Sequence, residues 1–226
     1  ADLRDEDKEQ LAALCQDVRP VPAKRNIIGE GERPEHIHLI VEGWAGRYKL
    51  LDNGARQIVA LLIPGDFCDL HTTILGQMDH GIVALTACQV AYIPASQIDE
   101  LTCHHNGLTK ALWWSTLVDE AVLRSWVVNA GRRDAYQRIA HLMCEMHARL
   151  KMIGLVTDQQ FDFPMTQDEL ADATALTPVH VNRTLQRLRN EGLIGFQRGW
   201  LSILDMAALQ RAAGFDPSYL HIQRRM

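Results

Sequence analysis

Thr166 and Glu169 stand at the spacing of a capping box, and Thr177-Pro178 heads a second helical run after the short turn Ala175-Leu176. A threonine hydroxyl can accept from an otherwise orphaned N–H, and proline is tolerated where the first helical N–H has no partner. The first helix is expected to end near Thr174 and the second to run through Arg189. In the second, Val181, Leu185 and Leu188 form an apolar face. His180, Arg183, Thr184 and Arg187 recur three and four apart on another face. After Glu191-Gly192, the stretch from Leu193 to Ile203 reads as strand, glycine turn at Arg198-Gly199, strand. Two short helices joined by a tight turn and followed by such a hairpin describe a winged helix-turn-helix, an element that reads DNA.

The overall charge of -5 argues against that reading only until it is divided along the chain. Residues 1–130 hold 11 Lys/Arg against 18 Asp/Glu, while residues 131–226 hold 12 against 10. Residues 173–200 contain four arginines and one acidic residue, a basic patch suited to phosphate contacts.

The first half reads differently. Residues 25–95 are short apolar runs divided by turn residues: Ile37–Val41, Trp44–Leu50, Arg56–Leu62, Val83–Thr86 and Gln89–Ile93. Asp52-Asn53-Gly54 is the strongest hairpin signal, since Asn-Gly tolerates positive φ. This spacing predicts a β-sandwich, jelly roll or barrel. A long helix follows, free of glycine and proline from Leu108 to Val128 and ended by Asn129-Ala130-Gly131. Its apolar positions, including Leu112, Leu123 and Trp126, cover more than the one side a β-domain needs, which points to a partner subunit. A further helix is expected from Asp134 to Lys151.

Residues 20–220 resemble the Crp/Fnr superfamily of bacterial transcription regulators, through Thr166–Ile194, Pro64-Gly65-Asp66-Phe67 and the long helix. The resemblance implies an α+β architecture. An N-terminal double-stranded β-helix (jelly roll) of the cyclic-nucleotide-binding type would occupy residues 1–106, with an N-terminal helix. A dimerisation helix would occupy 107–131, and a winged helix-turn-helix 132–226. It implies a homodimer on a double-stranded DNA operator, with RNA polymerase as a further candidate partner. DNA contacts are then expected from Thr177, Val179, His180, Arg183, Thr184, Arg187 and Arg198, and subunit contacts from Leu112, Leu123 and Trp126. The family's recognition helix commonly opens with an Arg-Glu pair. Here Pro178-Val179 stands in that place, and Arg183 matches the second arginine.

Two effector chemistries of the superfamily are not expected. The stretch matching its cyclic-phosphate segment reads Pro64–Leu70 and Asp79–Ala84, with no Arg or Lys between Arg56 and Lys110 to offset a buried phosphate. Asp66 is shorter than the glutamate of that branch and is assigned to the strand turn. Only Cys15 precedes Cys68, so the cysteine set for an iron–sulfur centre is lacking. Cys68, His71 and His80 with Asp69 and Asp79, Cys103-His104-His105, and His141, Cys144 and His147 lack a strong metal-site spacing. No metal and no cofactor is expected, the effector is left open, and no catalytic set stands out. The alternatives are a cupin-like metal- or ligand-binding β-roll enzyme, with His36 and His38 on one strand face, or a regulator acting mainly through protein partners. The absence of an 18-residue apolar run, the charged start and five scattered cysteines predict a soluble cytoplasmic protein without membrane contacts.

Overall fold

The computed structural model describes residues 3–197 and 199–222. The chain divides into two compact units. One takes the described residues up to Ala55 with Val59–Glu120, the other Arg56–Ile58 with the described residues from Ala121 onward.

The first unit starts with helix α1 (Asp5–Leu14) and carries seven strands: β1 (Val18–Val21), β2 (Asn26–Ile28), β3 (His36–Glu42), β4 (Ala45–Leu50), β5 (Arg56–Leu62), β6 (Gly81–Ala84) and β7 (Cys88–Pro94). They form two sheets, ordered β1-β7-β3 and β2-β6-β4-β5. Val21, Ile40 and Val90 from the first sheet and Ile28, Ala45, Leu62 and Ile82 from the second bury into one core, so the sheets face each other as in a jelly roll. Strand pleating sends alternate residues to opposite faces. Ile37 and its register partner Ile93 therefore leave that core and join a second one, with Ile98, Leu101, Leu108 and Leu112. The β4–β5 connection is the turn the sequence predicts: Gly54 has φ +82°, and Asn53 Oδ1 accepts from the Ala55 N–H at 2.9 Å. A short helix α2 (Thr72–Leu75) lies between β5 and β6, and α3 (Ala95–His104) follows β7.

Helix α4 (Asn106–Arg132) runs past Gly131 instead of stopping at Asn129-Ala130-Gly131. One glycine costs a helix only about 1 kcal/mol. The boundary is set by Asp134, whose carboxylate accepts from the Gln137 N–H at 2.8 Å and caps α5 (Ala135–Met152).

The second unit packs α5, α6 (Gln167–Thr174), α7 (Pro178–Asn190) and α8 (Met206–Ala213) with a three-stranded sheet, β8 (Gln160–Asp162), β10 (Trp200–Ile203) and β9 (Ile194–Gln197), in the order β8-β10-β9. Phe161 and Phe163 are fully buried, with rings edge to face at 6.1 Å. Among the described residues no helix is long and apolar enough to cross a membrane.

Candidate nucleic-acid interface

The α6–turn–α7 segment forms as its caps dictate. Thr166 and Glu169 make a reciprocal capping box: the Thr166 N–H reaches Glu169 Oε2 at 2.8 Å, and the Glu169 N–H reaches Thr166 Oγ1 at 3.2 Å. Thr177 Oγ1 accepts from the His180 N–H at 3.3 Å, with Pro178 in the first turn of α7. Between the helices Ala175 takes a left-handed conformation, φ +53°, which costs a residue with a Cβ roughly 1–2 kcal/mol. Arg138 of α5 stabilises the turn. Its Nη1 donates to the carbonyls of Thr174 and Ala175 at 3.1 and 3.2 Å, and its Nε to that of Arg133 at 2.8 Å. Nothing in the sequence ties Arg138 to this turn, which lies more than thirty residues downstream.

Val181, Leu185 and Leu188 seat α7 on the core, and its opposite face is open. Val179, Arg183 and Gln186 are exposed at positions i, i+4 and i+7, one line along the helix. No hydrogen bond or ion pair holds Arg183 among the described residues. The side chain is exposed, and a guanine edge or a phosphate can take its donors. His180 is exposed on the flank. Asn182 is half-buried and its amide donates to Gln167 Oε1 at 3.3 Å, joining the starts of α6 and α7. Gln186 was not among the residues expected from sequence, although its i+3 spacing from Arg183 is the signal that finds it.

Thr184 is 7% exposed and lies on the inner side of α7, so its hydroxyl is not displayed to solvent. The reason is angular: Thr184 is one step round from Arg183 and falls beside Val181 and Leu185. Arg187 is exposed but held. Its Nε donates to Glu191 Oε1 at 2.8 Å, and its guanidinium lies 4.2 Å over the Tyr136 ring. The Tyr136 hydroxyl bonds the other Glu191 oxygen. Those two hydrogen bonds, from Tyr136 and then Arg187, hold the Glu191 carboxyl below the usual range, while burial pushes Tyr136 up to about 12. In the β9–β10 hairpin Gln197 pairs with Trp200, which is 53% exposed; Arg198 lies outside the described residues.

Of the residues expected at a subunit contact, Leu112 lies in the second core of the N-terminal unit and Trp126 is buried in the other unit, while Leu123 is exposed. Trp113, Leu117, Leu123, Val127 and Val128 are all exposed on α4 and fall within about 140° of helix arc.

In the segment matching the cyclic-phosphate site, Asp66 Oδ2 accepts from the Ile63 N–H at 2.8 Å and closes the strand turn. Asp69 is fully buried and faces His38, with Oδ1 on the backbone N–H at 2.7 Å and Oδ2 at Nδ1, 2.5 Å away. A cation does approach from outside the segment. Arg47 of β4 donates to the carbonyls of Phe67 and Cys68 at 2.7 and 3.1 Å and pairs with Asp119 at 2.7 Å. Cys144 and His147 serve packing: the thiol is buried and pushed up to about 12, and the imidazole Nε2 faces Gln159 Oε1 at 2.5 Å.

Two family models match the chain, a Crp-like helix-turn-helix domain over residues 137–212 and a cyclic nucleotide-binding domain over residues 18–105. The transcriptional activator protein FnrL of Cereibacter sphaeroides is 29% identical over 224 residues, covering 93% of this chain and 86% of that protein. The nitrogen fixation regulation protein FixK of Bradyrhizobium diazoefficiens is 28% identical over 188 residues, covering 83% and 78%. Among solved structures, FixK2 from Bradyrhizobium japonicum superimposes with a TM-score of 0.79 at 24% identity, over 86% of this chain and 96% of that one. With its capped helix pair, open α7 face and β-roll, the chain belongs to the Crp/Fnr superfamily as a sequence-specific DNA-binding transcription regulator.

Proposed function

We propose that the chain works as a homodimer and reads its operator with the line Val179–Arg183–Gln186 of α7. The observation that carries this reading is the open face of α7, whose opposite side is held by Val181, Leu185 and Leu188. Arg183 suits a bidentate bond to guanine O6 and N7, Gln186 a bidentate bond to adenine, and Val179 contact with a thymine methyl. His180, Arg187 and the Thr177 end of α7 are assigned to phosphates, as is Arg198. Thr184 supports the helix from within and is given no DNA contact.

The second copy is proposed to meet α4 along Trp113, Leu117, Leu123 and Val127. These large apolar side chains share one exposed arc of α4 with Thr116, Glu120 and Arg124, while Leu112, Ala121, Val122 and Trp126 are buried, and a two-fold contact along that arc would bury them. We further propose that the effector is not cyclic AMP and that the dimer works in the cytoplasm, in contact with RNA polymerase. Selection of bound sequences from a randomised DNA library tests the reading. A two-fold symmetric consensus with half-site centres roughly 34–36 Å apart, or a multiple, is expected. Salt-insensitive binding without sequence preference would refute it.

A further inference from the structure

Two imidazoles and a carboxylate converge at the entry to β6 in the N-terminal unit. His71 precedes α2, and Asp79-His80 leads into Gly81. The rings of His71 and His80 stack, with centroids 5.3 Å apart and planes 29° from parallel. Asp79 Oδ1 lies 2.6 Å from His80 Nδ1 and 3.8 Å from His71 Nε2. One ligand-capable atom on each residue lies within 4.8 Å of those on the other two. His71 Nε2 and His80 Nε2 are both shut off from solvent, and neither has a hydrogen-bond partner among the described residues. A buried polar nitrogen without a partner is uncommon in a folded protein, and two such nitrogens beside one carboxylate call for a common occupant.

We propose that His71, Asp79 and His80 form a binding site for one divalent transition-metal ion of the zinc type, with its remaining positions open to water or an external ligand.

The donor set selects the ion. Two imidazoles and one carboxylate suit zinc and its neighbours, whereas calcium and magnesium call for oxygen cages. Arg47 is the cation that opposes an ion here. Its charge is offset by Asp119 at 2.7 Å from Nη1, and its Nε and Nη2 donate to the carbonyls of Cys68 and Phe67. The spacing in sequence, His71 and then Asp79-His80, resembles no standard metal motif, because the two ends meet only through the fold of the α2 segment.

The full chain, stripped by a chelator, would be titrated with Zn2+ by calorimetry and with Co2+ by visible absorption. One ion per chain at a micromolar or tighter dissociation constant is expected, with a Co2+ spectrum lacking a thiolate charge-transfer band. His71→Gln with His80→Gln should abolish that binding. Asp79→Asn, a change at an exposed side chain that leaves the fold intact, should weaken it at least about ten-fold. His104→Gln with His105→Gln should leave it unchanged. Millimolar binding, a thiolate band, or an affinity indifferent to Asp79→Asn or to the His71/His80 pair would overturn the proposal.

Discussion

Trp126 donates its indole N–H to both oxygens of the Glu145 carboxylate, at 3.0 Å from Oε1 and 3.2 Å from Oε2. Glu145 is fully buried; it also accepts from the Tyr219 hydroxyl at 2.7 Å and lies 3.7 Å from Arg149 Nη1. Burial raises its pKa, and Arg149, Tyr219 and Trp126 act in the opposite direction. A carboxylate this deep is tolerable only where donors replace the water it has lost. Trp126 is therefore committed inside its own chain, joining the end of α4 to α5.

Replacing Trp126 with Phe keeps most of the packing but removes one donor from a buried carboxylate. The expected cost is about 1–3 kcal/mol, read as a lower midpoint in urea. Sedimentation should show the same association state as the parent chain. A variant that became monomeric at unchanged stability would assign Trp126 to the subunit contact after all.

The pH dependence of the C-terminal unit should contain two opposed contributions. His141 is buried against Phe215 and Tyr219, with ring centroids 5.1 and 5.9 Å away, and burial drives its pKa down to about 4. An unfolded histidine titrates near 6.5, so between about pH 6.5 and 4 the unfolded chain binds a proton that the folded chain refuses. Stability from this group is present above that window and falls as pH drops through it, by about 3 kcal/mol in all. Glu145 has the reverse sign: its raised pKa favours the folded chain below the ordinary carboxylate range, and the benefit fades as pH rises through the folded value. The unfolding free energy of the parent minus that of His141→Gln should thus grow as pH rises across the window. The same difference for Glu145→Gln should shrink. Parallel urea midpoints at every pH would show that neither group titrates differently on folding.

Leu112 and Leu123 lie on the same helix and should behave in opposite ways. Leu112→Ala empties space in the second core of the N-terminal unit and should cost about 2–5 kcal/mol of stability without altering association. Leu123→Glu changes an exposed side chain and should leave the folded protomer intact while shifting sedimentation toward monomer and weakening operator binding. A Leu123→Glu chain that stayed dimeric at micromolar concentration would remove this face from the proposal.

What the sequence revealed and what it hid divide along physical lines. Local signals were legible: the Thr166–Glu169 box, the Thr177-Pro178 start and the Asn53-Gly54 turn all depend on residues within one turn of each other. Periodicity placed Arg183 and Val179 on the open face of α7 but did not separate Thr184 from it, because adjacent positions differ by only about 100° of arc. It also showed that α4 has more apolar surface than one core needs, without assigning Leu112 and Trp126 to the inside. Contacts between distant segments left no trace: Arg138 on the Thr174 and Ala175 carbonyls, Arg47 on the Phe67 and Cys68 carbonyls, and His71 against His80 all depend on the completed fold. Arg47 gives no signal in the interval between Arg56 and Lys110, because its strand β4 precedes that interval.

Arg47 also sharpens the expectation for cyclic nucleotides. It is the cation brought to this segment from outside, and Asp119 and two carbonyls already occupy it. A cyclic phosphate would have to break that pairing without another Arg or Lys from the segment itself. Calorimetry with cyclic AMP and cyclic GMP should show nothing tighter than about millimolar, equivalent to roughly -4 kcal/mol. Micromolar binding that raised operator affinity would reverse this conclusion. Should Asp119→Ala alone create such binding, Arg47 pairing would be the reason it is absent in the parent.

Arg183 and Arg187 are one helical turn apart, yet their surroundings predict different losses. Arg183 is exposed with no protein partner among the described residues, on the line of Val179 and Gln186. Arg187 is exposed too, but Glu191 accepts from its Nε at 2.8 Å and Tyr136 lies beneath its guanidinium. A side chain already fixed against its own protein presents a stationary charge to a phosphate and has less freedom to follow a base edge. Arg183→Ala should cost about 1–3 kcal/mol on the preferred operator and flatten the preference at one base pair. Arg187→Ala should weaken all sequences alike and lower the salt slope by at most about one unit. Gln186→Ala should relax a second position, next to the one Arg183 reads, with little change in salt slope. Titrations of the three variants against a randomised operator library, at several salt concentrations, separate base reading from phosphate contact. An Arg183→Ala protein that kept the parent base preference in full would mean that α7 presents a different edge to the groove.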